Sequence, residues 1–278
     1  MDRPRALAMT LEFHSATDRG RIRSNNEDSI AIVEAAGLMV LADGMGGYNA
    51  GEVASGMATM LLSTELEAAL TARSPHELDQ ESGLSYATRC VLDKVALTNA
   101  AIFQTAASQP QYAGMGTTLV MALFYDNRVT LAHLGDSRVY RLRGDELRAI
   151  TRDHSLLQEQ IDSGMISVED ARFSQNKNLV TRALGVDPEV ETEIDEHVVQ
   201  AGDIYLLCSD GLNDMVEDEE IRMTLQTLTA NLELAAAQLI QMANDNGGRD
   251  NVSVILVRVL HEFPAARSWW STLKARFK

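Results

Sequence analysis

Cysteine is scarce: two residues in 278, Cys90 and Cys208, with no paired spacing. That count and spacing exclude a disulfide framework and a zinc knuckle, and such usage suits the cytosol. Cys208 lies inside an apolar run and reads as a small core residue rather than a nucleophile. No stretch approaches the ~20 apolar residues that a membrane helix needs. The first residues hold no long apolar run of the kind a signal peptide carries, so a cytoplasmic location is expected. Basic residues are outnumbered, 24 against 40 acids, for a formal net charge of −16. Such a chain repels phosphate backbones, so nucleic acid is not an expected partner. Divalent cations are compatible with the charge, although solubility alone also accounts for it. The six histidines include no pair at helical metal-binding spacing.

Apolar residues, in contrast, make up 45% of the chain, enough for a sizeable core. The length is large for one domain but suits a single α+β unit. One stretch organises the rest. Leu38, Met39, Val40, Leu41 and Ala42 form a continuous apolar run, read as a buried strand. It ends in Asp43, followed by the turn Gly44-Met45-Gly46-Gly47 and then a predicted helix over 51–70. A lone Asp-Gly is ordinarily just a turn. The pattern recurs, however: a run over 204–209 ends in Asp210-Gly211, a run over 131–134 ends in Gly135-Asp136, and Asp250 stands just ahead of a run over 252–259. Four strands with an acid at one end would, if those ends converge, gather carboxylates that repel one another without a cation.

Around these, the patterning predicts a first strand over 10–17 and a hairpin of 29–33 with 38–42. A second long helix is expected over 86–107, and short antiparallel strands over 117–125, 129–134, 138–142 and 147–150. A helix over 155–163 capped by Ser155, a turn or two over 168–173, a strand over 189–198 and helices over 217–228 and 232–244 complete the reading. Clusters of strands interrupted by helix pairs favour α+β with antiparallel sheets. The tail over 261–278 differs from the rest: it holds Trp269, Trp270, Arg267, Lys274, Arg276 and Lys278. It is a candidate docking segment for a membrane surface or a partner. The plainer reading is a short terminal helix packed on the domain.

Asp28, Asp43, the Gly44 carbonyl, Asp136, Asp210 and Asp250 are all oxygen donors, which suits Mg²⁺ or Mn²⁺ and not Zn²⁺. Two such ions can activate a shared water toward phosphorus. An Arg fork matches the phosphoryl oxygens, and Arg23 lies five residues before Asp28, so one loop is expected to present both. Glu27 is a candidate for orienting water near the ions.

In order, the chain reads Arg23-x-x-Asn26-Glu27-Asp28, Ala42-Asp43-Gly44-Met45-Gly46-Gly47, Gly135-Asp136-Ser137-Arg138, Ser209-Asp210-Gly211 and Arg249-Asp250-Asn251-x-Ser253. Each motif alone is weak; five in this order are specific. Over roughly residues 10–260 the chain resembles the bacterial metal-dependent protein serine/threonine phosphatases, the protein phosphatase 2C family. The resemblance implies a four-layer αββα sandwich, two central antiparallel sheets flanked by helix pairs. It implies hydrolysis of phosphoserine and phosphothreonine in proteins, opposite a cognate serine/threonine kinase, by a monomer. It assigns Asp43 to both of two core ions (Mn²⁺ or Mg²⁺) and the Gly44 carbonyl to one. Asp210 and Asp250 complete the other, with Glu27 and Asp28 acting through water. Arg23 would hold the substrate phosphate, and Asp136 with Asp210 would bind a third, weaker ion. Residues 151–184 would form a flap beside the site.

Two features depart from the family pattern. Met45 stands where some members carry a histidine, which leaves the general acid open between a metal-bound water and His154. Ser174-Gln175-Asn176-Lys177 replaces a His-Pro-rich run in the flap, so flap-dependent specificity does not transfer. Rival readings are a catalytically silent phosphoprotein-binding module of the same fold and a phosphatase of small phosphoesters. A nucleotide-binding loop fails, because Asn49 stands where a third glycine is needed and no Gly-Lys-Ser/Thr follows.

Overall fold

The runs read as strands assemble into two antiparallel sheets in the computed structural model of the chain, which describes residues 7, 9–47, 50–78, 83–167, 170 and 179–264. One sheet has the order β1 (Leu11–Asp18), β11 (Val252–Val259), β10 (Ile204–Cys208), β7 (Arg138–Arg143), β8 (Glu146–Ala149). The other runs β2 (Asp28–Val33), β3 (Leu38–Met45), β5 (Leu119–Tyr125), β6 (Arg128–Leu134), β9 (Glu193–Val198), with β4 (Gly116–Thr117) paired to β3. Helices α1 (Ala50–Ala72) and α2 (Tyr86–Ser108) cover the second sheet. Helices α5 (Asp218–Thr227) and α6 (Leu232–Asp245) cover the first. Short helices α3 (Leu156–Asp162) and α4 (Asp210–Asn213) lie between strands in sequence.

The continuity of the apolar runs follows from this layering. Successive strand residues point to opposite faces, and here both faces are buried. Leu38 and Val40 pack outward against Leu62, Leu66, Val91 and Val95 of the helix pair. Met39 and Leu41 pack inward, with Val120 and Phe124, against Tyr205, Leu207, Ile255 and Val257 of the facing sheet. Phe124 meets Tyr205 edge-on at 5.3 Å and 81°. A third core lies under α5 and α6, where Leu206, Val254 and Leu256 meet Leu225, Ala235 and Leu239. Three cores separate four layers, the αββα sandwich that the resemblance implies.

Local signals explain the turns. Asp126 and Asn127, at φ 45° and 56°, make the tight turn between β5 and β6 that matches strand twist. Ser85 and Ser155 each cap a helix, accepting from Thr88 and Gln158 backbone N–H groups. Glu217 and Glu220 form a capping box at α5.

Some boundaries differ from those read in the sequence. The strand expected over 189–198 begins only at Glu193. Its partner sets that limit: Glu193 pairs with His133, and β6 ends one residue later at Leu134. The run over 117–125 divides at Thr118, whose N–H and hydroxyl are both engaged by Asp43. Asp210-Gly211 opens the helix α4 rather than a simple turn. Most of the segment over 168–173, Ser174–Asn178 of the flap and the tail beyond 264 lie outside the described residues. Among the described residues no helix is long and apolar enough to cross a membrane.

Candidate active site

The carboxylates meet because of strand order. β2 and β3 are antiparallel neighbours, and their register sets Asp28 directly opposite Asp43. β10 and β11 are antiparallel neighbours in the other sheet, so the end of one (Asp210) and the start of the other (Asp250) share an edge of the sandwich. β6 belongs to one sheet and β7 to the other, and the chain crosses between them through Gly135, Asp136 and Ser137. Asp136 is thereby delivered to the same end.

Hydrogen bonds lock the two sheets together there. Ser209 Oγ donates to Asp28 Oδ2 at 2.8 Å and accepts from Ser253 N at 3.0 Å. Asp43 N donates to Thr118 Oγ1 at 3.0 Å, and Thr118 Oγ1 lies 2.8 Å from Ser137 Oγ. Asn251 Oδ1 accepts from Glu27 N, while its amide group donates to the carbonyls of Arg19 and Asn25. The loop that carries Arg23, Glu27 and Asp28 is thus tied to the residue after Asp250. Arg23 itself donates to Asp250 Oδ2 at 2.7 Å. That contact spans 227 positions of sequence, and the one loop expected to present both Arg23 and Asp28 is anchored through it.

Gly44 is required by close approach. A Cβ there would stand 2.1 Å from the Gly51 carbonyl oxygen and 2.7 Å from that of Glu27. Helix α1 therefore seats its first turn against the glycine, and Ser55 Oγ on that helix donates to the Glu27 carbonyl at 2.6 Å. Gly44→Ala is expected to lower stability by about 3 kcal/mol or more, since neither backbone can yield cheaply. Chemical denaturation measures this; a loss below about 1 kcal/mol contradicts such tight seating.

The electrostatics reflect crowding of like charge. Burial, then Asp28, Asp210, Asp136 and Asp250, push the Asp43 carboxyl well above its ordinary value. Burial and then Asp136, Asp214, Asp250 and Asp28 do the same to Asp210. Asp28 is raised to about 6 and Asp136 to about 7, in both cases chiefly by burial. Glu27 is also raised by burial, against the pull of Arg23. Asp136 is 6% exposed, whereas Asp28, Asp43, Asp210 and Asp250 keep partial solvent access, so the cluster lines a cleft and not a sealed core. Asp28 Oδ1 is buried without a hydrogen-bond partner. An orphaned carboxylate oxygen among like charges fits a set of oxygen ligands for hard divalent cations.

His154, weighed above as a general acid, is not placed for that role. It is 8% exposed, its Nδ1 accepts from Gly135 N, and its Nε2 faces Glu193 Oε2 at 3.1 Å. Both ring nitrogens are engaged inside the protein. The grouping of His133, His154 and Glu193 had no signal in the sequence, because the three are 21 and 39 residues apart with no shared motif. Arg138, the last residue of the Gly135-Asp136-Ser137-Arg138 motif, forks onto Asp153 at 2.8 and 2.7 Å and so braces the start of the flap.

Fold and site define a class: a four-layer αββα sandwich of the metal-dependent phosphatase type. Residues 18–252 match the family described as Protein phosphatase 2C, and the chain belongs to that family. It is 40% identical over 255 residues to the serine/threonine protein phosphatase PstP of Mycobacterium tuberculosis, covering 91% of this chain and 46% of that protein. The chain therefore spans about half the length of that relative. It is 41% identical over 258 residues to the serine/threonine phosphatase stp of Listeria innocua, covering 90% of this chain and 95% of that one. A crystal structure of the catalytic domain of PstP, in complex with two manganese ions, superposes with a TM-score of 0.74 at 40% identity, over 90% of this chain and 99% of that chain.

Proposed function

We propose that this chain hydrolyses phosphoserine and phosphothreonine in proteins, with Mn²⁺ or Mg²⁺ as cofactor. The observation that carries the reading is the convergence of Asp28, Asp43, Asp136, Asp210 and Asp250 at one end of the sandwich, with carboxyl groups crowded enough to disfavour their charge. In this reading Asp43 serves two core ions, the Gly44 carbonyl one of them, and Asp210 with Asp250 the other. Glu27 and Asp28 contribute through water, and Asp136 with Asp210 holds a third ion. Cations held by these residues would supply a water of lowered pKa as the nucleophile toward phosphorus. The chain's own contribution is placement. The Asp28–Asp43 register holds two acids side by side, and Ser209 and Asn251 fix the loops that present the others. Residues 10–260 form the catalytic domain, supported by the family match over 18–252.

Arg23 is assigned to the substrate phosphate. Its side chain is 51% accessible at the rim of the cluster, and Asp250 holds it in place. Arg23→Ala is expected to raise KM for a phosphothreonine peptide about tenfold or more with a smaller change in kcat, the size of a lost charge-assisted contact. Steady-state kinetics read the split; a fall confined to kcat removes Arg23 from phosphate binding.

The cognate partner is a serine/threonine kinase whose products this chain reverses. A cytoplasmic location agrees with the two free, buried cysteines. Docking through the basic tail over 261–278 is tested by deleting it and measuring liposome binding, where no change ends that idea. The test of the function as a whole is phosphate release from a phosphothreonine peptide and from a small phosphoester, each with Mn²⁺ and with chelator. Metal-dependent release from the peptide supports the reading. Release from the small ester alone makes the chain a generic phosphoesterase, and release from neither makes it a silent binder.

A further inference from the structure

Gly135 sits at φ 101°, a conformation that glycine adopts without cost and also leaves without cost. Something else must hold the turn that delivers Asp136, and one residue does. His154 N donates to the Gly135 carbonyl at 2.8 Å, and Gly135 N donates to His154 Nδ1 at 3.2 Å. A single residue thus satisfies both backbone polar groups of the glycine. The same residue gathers the two stems of the segment beside the site. The His154 carbonyl accepts from Thr181 N at 2.8 Å, Ser155 pairs with Val180, and Leu156 N donates to the Leu179 carbonyl at 2.9 Å. The ring is held from behind. Nε2 meets Glu193 Oε2 at 3.1 Å, and the imidazole stacks on His133 at 4.2 Å and 24°. His133 Nε2 lies 2.8 Å from the Arg152 carbonyl, which closes the cluster onto the first stem.

We propose that His154 is a positioning residue: its backbone joins the Gly135–Asp136 turn to both stems of the flap, and its ring, bonded to Gly135 N and backed by Glu193 and His133, fixes that turn, so the seat of the flap and the placement of the Asp136 carboxylate are set together. The inference rests on the reading of Asp136 as a ligand of the third ion.

The cluster invites another reading, a second cation site, since His133, His154 and Glu193 offer ligand atoms within 4.8 Å of one another. Two features oppose it. A neutral imidazole whose Nδ1 accepts a backbone proton carries its own proton on Nε2, the atom that faces Glu193, and so has no lone pair there for a metal. His133 Nε2 is likewise engaged, 2.8 Å from the Arg152 carbonyl, an acceptor that calls for the ring proton on that nitrogen. Burial and the neighbouring His154 hold His133 down at about 4, so it stays neutral at ordinary pH. A neutral, hydrogen-bonded brace is what the geometry supports.

The test uses the full chain with Mn²⁺ alone as the probe, read by calorimetric titration and by amide hydrogen exchange. His154→Ala is expected to weaken the weakest Mn²⁺ step about tenfold, as outer partners of ligand residues commonly do, and to speed exchange at the Gly135 amide, which the ring accepts from, while the Thr181 amide, bonded to the His154 backbone carbonyl, serves as the internal control. His154→Asn, whose side-chain oxygen can still accept from Gly135 N, is expected to recover most of the Mn²⁺ affinity. Asp136→Asn provides the reference by removing the weak step itself. An unchanged weak step in His154→Ala, beside its loss in Asp136→Asn, overturns the proposal, as does His154→Asn behaving like His154→Ala. If Asp136→Asn keeps the wild-type titration, the ligand assignment is wrong and the proposal falls with it. Should His154→Ala not fold, the partly exposed Glu193 decides. Glu193→Ala is expected to shift both readouts about two- to threefold, the size of one hydrogen bond, and no shift overturns the proposal.

Discussion

Asp43→Asn is expected to reduce turnover of a phosphothreonine peptide by about a thousandfold or more, while the chelated variant melts higher than the chelated wild type. Asp43 stands at the centre of the cluster, opposite Asp28 and within electrostatic reach of Asp136, Asp210 and Asp250. A thousandfold loss is about 4 kcal/mol of transition-state stabilisation, a size in keeping with removing a group on which the bound cations depend. The stability gain has a separate cause. The charged carboxylate is disfavoured by burial and by its neighbours, and the amide removes that charge at nearly constant volume. The backbone contact to Thr118 Oγ1 does not involve the replaced group and should survive. Mn²⁺ should also raise the melting midpoint of the wild type much more than that of the variant. Retained activity would remove Asp43 from the centre of the mechanism. A chelated variant that melts lower than the chelated wild type would show that crowding is not what shifts these groups.

The second large effect is in the pH dependence of stability. Acids whose folded pKa lies above the unfolded value bind protons more tightly in the native state. Their contribution favours folding at low pH and is withdrawn as pH rises through the folded values. Asp28 at about 6 and Asp136 at about 7 set the window, against ordinary aspartate values near 4. With chelator present, the melting midpoint is expected to fall between pH 5 and pH 8 by roughly 5–10 °C, the shift that about 2–3 kcal/mol produces in a chain of this size. This is opposite to the usual behaviour of paired carboxylates, which stabilise as they ionise. Saturating Mn²⁺ should flatten the slope, because cations favour the ionised cluster and bind only the native state. A chelated protein whose midpoint is level or rises over the same window contradicts the crowding. An equal slope with and without Mn²⁺ separates the cluster from metal binding.

Most of the frame was legible in residue order. The run Leu38–Ala42 had to be a strand buried on both faces, because it has no polar side to turn to water. Asp126-Asn127 had to be a tight turn, and Ser155 was recognisable as a cap. The acids could be picked out because each follows or precedes such a strand. The misread points involve partners far away in the chain. The strand over 189–198 was cut short because β6, its neighbour in the sheet, ends at Leu134, one residue past the His133–Glu193 pair. Asp210-Gly211 carries a turn signal, yet it opens a helix whose Gly211 packs against the Asn251 backbone.

The sequence by itself determined most of the strands and helices and that five acids with oxygen donors stand at strand ends. These are local properties, written in periodicity, turn residues and side-chain type. Only the tertiary structure decided that Asp28 faces Asp43, that Arg23 reaches Asp250, and that His154 holds the turn before Asp136 to the flap. Those meetings depend on strand order and register across two sheets, and a strand's own residues do not encode which neighbour it will find.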